Sequence, residues 1–404
     1  MKFINLTYFI LIFYYYYLYV KVIGLFISKK KKNTNKNKVL YLAAFFPNNA
    51  GYIYRVKKWA DILSKNGYEV DIKYALPEKK YYDYLGTDKV DEISFYLKSL
   101  KSRVKQVLSA KDYDIVIVRR ELLLFNDYGN LFLEKLLVKI NPNTILDFDD
   151  DIAYAKQEPK KVSGFISKIL QEHPKKFTKS ITLYKKFIVG SAYLKEYVLN
   201  INKSINPHDI CIIPTCVDYE KYEAKQFKND SKEITLGWIG SNGNLKLLDK
   251  IIPELNLLHQ YHPIKLIVIS GKEFTPNTVF EVQNYTWSYK TQINDLLKID
   301  IGLMPLNNSL EDKGKSGFKL LQYMGLGIVG LATAITINKE IIDDKVNGFL
   351  ISEDNTNWLD VLKNVVDNKS RFEEIGRNAR KKIKNQYSFK ANKGIYLSFM
   401  ESCK

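Results

Sequence analysis

The chain opens on a hydrophobic run. Phe3 to Val20 is apolar apart from Asn5 and Thr7, with tyrosine at Tyr8, Tyr14 to Tyr17 and Tyr19; after Lys21 it continues to Ile27 and meets Lys29 to Lys32. About 20 apolar residues suffice to cross a bilayer as a helix, whereas tyrosines favour the membrane–water interface. The segment therefore reads as a spanning anchor, an interfacial helix or a signal segment. A cleaved signal is disfavoured, because no small-x-small site is evident and the lysines follow the run. The same lysine excess predicts that everything downstream stays cytoplasmic.

Beyond a polar linker the pattern alternates between short buried runs and helical stretches. Val39 to Phe46 reads as a first parallel strand, followed by a turn at Asn48, Asn49 and Gly51. A helix then places Val56, Trp59, Ala60 and Leu63 on one face and stops at Gly67. Tyr68 to Tyr74 is the second strand. Ile93 to Leu108 marks a long amphipathic helix, and Tyr113 to Val118, Thr144 to Phe148, Phe187 to Gly190 and Asp209 to Ile213 are further strands. Tyr222 to Lys232 is polar and serves as the predicted domain linker. A second series follows, with strands at Ile234 to Gly240, Lys265 to Ser270, one ending at Tyr285 to Tyr289, Ile299 to Met304, Ile328 to Leu331 and Gly348 to Ile351. The stretch Asp300 to Ala332 is strand, polar loop, helix, strand. Ser316 is placed to cap its helix, whose apolar positions are Phe318, Leu320, Leu321 and Met324. A basic helical tail, Arg371 to Phe399, closes the chain.

Composition sharpens this picture. At 404 residues the chain exceeds one typical core, and 46% hydrophobic content excludes wholesale disorder. The net charge is +18, with six lysines between Lys29 and Lys38. Such charge suits anionic lipid or phosphorylated substrates. Nucleic acid is not an expected partner, since no helix-turn-helix, RNA-binding aromatic motif or zinc spacing occurs. Cys211, Cys216 and Cys403 are an odd, sparse set that fits reduced thiols.

Candidate chemistry gathers after strands, where open α/β sheets bind ligands. Lys315 and Lys319 are four apart on one face at a helix start, which already attracts anions. They read as a diphosphate site, the alternative being a solvated lysine face. Gly240-Ser241-Asn242-Gly243 forms a strand–turn–helix unit whose amides can meet a phosphate, with Lys246 just beyond. In the first half, Arg119 and Arg120 end a strand, and Arg55 begins a helix, so each is placed to meet an anionic acceptor; for Arg55 a plain surface role is equally open. Asp149, Asp150 and Asp151 end another strand, where three adjacent carboxylates repel unless something compensates. They read either as a cleft carboxylate serving an acceptor hydroxyl or as a helix cap with solvated acids. None of the four histidines is assigned a catalytic role.

The order Asp-Ile-Gly-Leu-Met-Pro-Leu, then Gly-Lys-Ser-Gly-Phe-Lys-Leu-Leu-Gln-Tyr-Met, then Asn347-Gly348-Phe349-Leu350 and Trp358 resembles the donor half of a GT-B glycosyltransferase. It is most similar to family 4 (glycosyl transferases group 1), in the branch of polysaccharide and lipopolysaccharide enzymes. Gly314 and Gln322 stand where the common form of that family has a Glu-x7-Glu pair, and Ser241 where it often has arginine. The pattern Pro214-x-x-Val217-Asp218 resembles the family near its interdomain crossing. The resemblance implies an α/β fold: two Rossmann-like, doubly wound parallel-sheet domains facing a cleft, behind the N-terminal hydrophobic membrane segment. The expected division is an anchor at 1–28, a basic linker at 29–38, an acceptor-side domain at 39–225, a nucleotide-sugar domain at 226–385, and a helix at 386–404 crossing back to the first domain.

The implied activity is hexosyl transfer from a nucleotide-diphosphate sugar to a glycan or lipid-linked acceptor in cell-surface polysaccharide synthesis. It would proceed with retention, with no metal or other cofactor, on the cytoplasmic side of a membrane bearing anionic lipids. Lys315, Lys319 and Lys246 would carry phosphate charge. Gln322 would meet the ribose, Trp287 the base or simply the core, and Ser316, Gly317 and Glu311 would add donor or sugar contacts. Rival readings are a sugar-nucleotide epimerase and a non-catalytic partner subunit that binds glycan or lipid.

Overall fold

The computed structural model describes residues 2–27, 37–43, 50–75, 91–123, 131–150, 175–227 and 231–404. The chain divides into two units. One comprises Met1–Ile213 with Ile395–Lys404, and the other Pro214–Gly394.

The first unit holds a six-stranded sheet. Its strands are β1 (Lys38–Ala43), β2 (Glu69–Tyr74), β3 (Ile115–Arg119), β4 (Thr144–Phe148), β5 (Lys186–Val189) and β6 (Ile210–Ile212). The order is β2-β1-β3-β4-β5-β6 and every pairing is parallel. β3 and β4 are buried at every position, which is why they read as unbroken apolar runs rather than alternating ones. Three helices matter below: α1 (Lys2–Phe26), α2 (Asp91–Leu108) and α3 (Phe132–Ile140). The expected long amphipathic helix is α2. Within α1, the 20 residues Thr7–Phe26 have a mean hydropathy of 1.7, long and apolar enough to cross a membrane by length and composition. In the structure α1 lies against α2 and α3, with Phe9 and Val20 in the core they share.

The second unit repeats the plan. β7 (Ile234–Ile239), β8 (Ile264–Ser270), β9 (Glu281–Thr286), β10 (Ile301–Met304), β11 (Val329–Thr333) and β12 (Phe349–Ile351) form a parallel sheet of order β12-β11-β10-β7-β8-β9. Glycines lie side by side across its middle, Gly302 of β10 pairing with Gly237 of β7 and Gly330 of β11. A Cβ on Gly302 would come within 2.4 Å of the Tyr323 ring. The bare backbone there lets the following helix, α4 (Phe318–Leu326), seat Tyr323 directly on the sheet.

The division differs from the expected one in two places. The second unit starts at Pro214 rather than 226 because residues 214–225 are tied to it. Val217 donates to the Tyr387 carbonyl and Lys225 to that of Leu326, Tyr222 is buried, and the Arg380 guanidinium donates to the carbonyls of Tyr222, Glu223 and Gly325. The terminal helix Phe389–Ser402 joins the first unit from Ile395 onward. There Tyr396 stacks on Trp59 at 4.2 Å and hydrogen-bonds the Tyr41 hydroxyl, while the Tyr68 hydroxyl donates to Glu401 at 2.5 Å.

Candidate functional site

In each sheet the connections reverse direction at one point, and ligands collect beyond the strand ends at such a reversal. In the second unit it lies between β7 and β10, and the chain leaving these two strands carries the candidate donor residues. After β7 comes the turn Gly240–Gly243, closed by Asn244, whose backbone N–H donates to the Ser241 carbonyl at 2.9 Å and whose side-chain amide donates to the Ser241 hydroxyl at 3.0 Å. After β10 comes a loop and then α4. The loop contains a short helix, Leu310–Lys313, capped by the Ser309 hydroxyl. The Ser-x-x-Asp spelling of that cap was a usable signal within the expected polar loop.

Asp312 organises this corner. Its carboxylate is buried, accepts from the Asn307 N–H at 2.9 Å and pairs with the Lys315 ammonium at 2.5 Å. Lys315 also reaches the Asn244 side-chain oxygen at 3.4 Å, tying the loop after β10 to the turn after β7. Lys319 arrives from the other side. Its ammonium lies 4.5 Å from the Trp238 ring centroid, a cation–π distance, and a Cβ on Gly240 would fall 2.8 Å from its Cε. The same Cβ would fall 2.6 Å from the rigid Trp238 ring, so glycine at 240 is what lets the turn pass over that ring. Lys246 is exposed in the helix Leu245–Asp249 that follows the turn, and Glu311 is exposed in the short helix.

The start of α4 differs from the expectation. The N-cap is Gly317 in the left-handed conformation (φ +68), not Ser316. The positive φ explains the glycine. Tyr323, which the sequence reading missed, holds α4 in place: its hydroxyl accepts from the Ile239 N–H at 3.0 Å, at the end of β7. Burial raises the phenol's pKa well above its ordinary value. Gln322 is buried and donates to the Gln292 side-chain oxygen at 3.0 Å, which also accepts from the Trp287 indole at 3.2 Å. The predicted ribose and base contacts thus share one buried hub, Gln292, which carried no sequence signal.

In the first unit the reversal lies between β1 and β3. Arg55 is not at the surface. It is 1% exposed, paired with Asp147 and donating to the Ile213 carbonyl at 2.5 Å. Arg119 is buried against Asp149, and Arg120 pairs with Asp150 at 2.5 Å and Asp149 at 3.4 Å. These arginines are the compensation that the carboxylate cluster requires. Asp149 is buried while Asp150 remains 38% exposed. Arg120 holds φ +64, an unusual conformation for arginine at a strand end. Asp151 and His173 lie outside the described residues. Among the described histidines, His259 Nδ1 accepts from the Ile264 N–H and His262 pairs with Asp367. The three cysteines are free and buried, and burial pushes the Cys211 thiol up to about 12. Among the described residues no three His, Cys, Asp or Glu side chains come together as a metal site.

Two doubly wound parallel α/β units in one chain define a class: the fold is that of GT-B glycosyltransferases. Solved structures sharing it include sucrose-phosphate synthase from Thermosynechococcus elongatus, with TM-score 0.67 and 11% identity over 90% of this chain and 98% of that one. TarM matches with TM-score 0.64 and 12% identity, over 91% and 99% of the two chains. HepE from Anabaena, in complex with UDP-glucose, matches at 0.59 and 13%, over 90% and 99%. No family profile matches the chain. A relative from Escherichia coli, UDP-Gal:alpha-D-GlcNAc-diphosphoundecaprenol alpha-1,3-galactosyltransferase, is 23% identical over 205 residues, 46% of this chain. The chain spans about half of that relative's length, 52%.

Proposed function

We propose that this chain is a nucleotide-sugar-dependent glycosyltransferase of the family 4 type, moving a hexosyl group onto a glycan or lipid-linked acceptor in cell-surface polysaccharide synthesis. The observation that carries the reading is the convergence of Lys315 and Lys319 on the Gly240–Asn244 turn at the β7/β10 reversal. In the reaction the bond between the anomeric carbon and the diphosphate oxygen breaks, the acceptor oxygen bonds to that carbon, and the hydroxyl proton passes to the leaving diphosphate oxygen or to water. The leaving diphosphate gains charge, and preorganised cations stabilise it without reorganising. Lys315 and Lys319, with Lys246 nearby, supply those cations, and in this proposal no metal or other cofactor is needed. Gly317 and Ser316 bring the backbone of the α4 start toward the phosphates. Gln322 and Trp287, fixed through Gln292, frame the nucleoside, and Glu311 serves the sugar. On the acceptor side Asp150 is the exposed carboxylate and Arg120 the partly exposed cation, with Asp149 and its partner Arg119 beside them and Arg55 held on Asp147.

The named reaction of the Escherichia coli relative, from UDP-galactose to a diphosphoundecaprenol-linked sugar, supports a lipid-linked acceptor. Retention of configuration rests on the family resemblance. The test is incubation of the protein and membranes with a panel of nucleotide sugars, followed by product analysis. A new glycosidic bond in a membrane-extractable product is the expected result. Nucleotide-diphosphate binding with no product from any donor would instead favour a non-catalytic partner subunit. Epimer or free sugar formed without acceptor would favour an epimerase.

A further inference from the structure

Helix α1 has two faces of the same apolar character and different surroundings. One face is docked on the first unit. Phe9 and Val20 are buried in its core, and the rings of Phe13 and Tyr17 stand edge-on to Phe132 of α3 at 6.0 and 5.6 Å. Gly24 faces Leu136 of α3, and the Lys139 ammonium donates to the Gly24 carbonyl. The docked stretch from Phe9 to Gly24 is about 22 Å long at the helical rise. The other face follows the helical repeat through Tyr8, Leu11, Tyr15, Leu18, Val22 and Phe26, all exposed, Phe26 to 83%. A helix that is apolar all round is a buried helix, and soluble proteins rarely leave so long an apolar stripe in water.

We infer that α1 lies in the plane of a membrane surface, built into the first unit by its docked face and seated in the headgroup–acyl boundary of an anionic bilayer by its exposed face. Three observations favour lipid over another protein. The exposed stripe carries tyrosines, which place a ring in the apolar zone and a hydroxyl in the wet one. Its C-terminal end is cationic: Lys21 and Lys139 are exposed there, and Lys29 to Lys32 follow in the sequence. Such lysines bind anionic headgroups. Spanning is opposed by the docking itself. With α1 upright across some 30 Å of hydrocarbon, the exposed lysines of its neighbours, Lys101 and Lys105 of α2 and Lys135 of α3, would enter the bilayer at high cost. The inference does not rest on the glycosyltransferase reading, although an in-plane helix would hold the first unit where a lipid-linked acceptor lies.

The test uses the full chain and flotation with phosphatidylcholine vesicles, with and without phosphatidylglycerol. Wild type floats with the anionic vesicles. The double variant Leu11→Glu/Leu18→Glu, on the exposed face, loses binding at least about tenfold while keeping its melting temperature and its affinity for nucleoside diphosphates. Phe13→Ala, on the docked face, lowers the melting temperature. Wild-type flotation of the double variant would overturn the proposal, as would a dimer-to-monomer change on sedimentation of that variant without any loss of lipid binding, which would make a second copy the occupant. An unchanged melting temperature in Phe13→Ala, with membrane retention that resists alkaline extraction, would show a detached spanning anchor and overturn it as well.

Discussion

Lys315→Ala separates a phosphate ligand from a structural cation. Among the described residues the wild-type ammonium has one carboxylate partner, Asp312 at 2.5 Å, and one weak contact, Asn244 at 3.4 Å. If it also meets the leaving diphosphate, the variant loses one charge-assisted contact of about 1.5–3 kcal/mol, which is about 10- to 150-fold in kcat/KM. The variant also strands Asp312, whose side chain is 4% exposed. Asp312 keeps its bond from the Asn307 N–H, and the lysine end of the pair is partly solvated, so the stability loss is nearer about 1–3 kcal/mol than the full cost of a broken buried pair. At about 2–4 °C per kcal/mol for a domain of this size, thermal melting resolves it. The double variant Asp312→Asn/Lys315→Ala removes the stranded charge, so it regains stability and stays inactive. Calorimetry with nucleoside diphosphates and kinetics on both variants decide the matter. A double variant that recovers activity along with stability, with nucleotide affinity unchanged, refutes the assignment of Lys315 to phosphate.

Gly240→Ala puts a methyl 2.6 Å from Trp238 and 2.8 Å from the Lys319 Cε; about 1–3 kcal/mol of overpacking and weakened nucleoside-diphosphate binding are expected, read by melting and calorimetry. Asp149→Ala leaves the buried Arg119 guanidinium without its carboxylate and costs about 3–5 kcal/mol in urea unfolding. Asp150→Ala, at a half-exposed pair, costs under about 1 kcal/mol and appears instead as a changed KM for acceptor. The Cys211 thiol, held at about 12 against an ordinary 9.0, is a thiolate in roughly 1 molecule in 10⁴ at pH 8, so the folded protein resists aromatic disulfide reagents. Because the folded pKa is the higher one, its contribution to stability is complete below pH 9 and is lost as pH rises from about 9 to 12, which alkaline melting curves measure.

The strands were legible because parallel strands buried on both faces spell unbroken apolar runs; Thr144–Phe148 has the same limits in the sequence and the structure. The lysine corner was legible as a spacing. What held it was not: Asp312 lies in a stretch that spells only a polar loop, and Tyr323 acts on Ile239, 84 positions away. Arg55 read as a surface or substrate arginine because its partner, Asp147, is 92 residues distant. The unit boundary shifted for the same reason. Residues 214–225 are polar in composition, yet Arg380, far along the chain, fastens their carbonyls to the second unit. For α1, composition set a length and an apolar character, but the docked side depends on Phe132 and Leu136, which no local pattern announces.

The two reversal points hold their charges differently, and this bears on how each would meet an anion. At the β1/β3 point three arginines face three carboxylates, Asp147, Asp149 and Asp150, and burial raises the cost of breaking the Arg55–Asp147 and Arg119–Asp149 pairs. A substrate anion gains little from a network already neutral unless one carboxylate yields its place. The exposed Asp150 and the partly exposed Arg120 form the pair from which an exchange costs least. At the β7/β10 point Asp312 pairs with Lys315, and the Lys319 ammonium stands over the Trp238 ring.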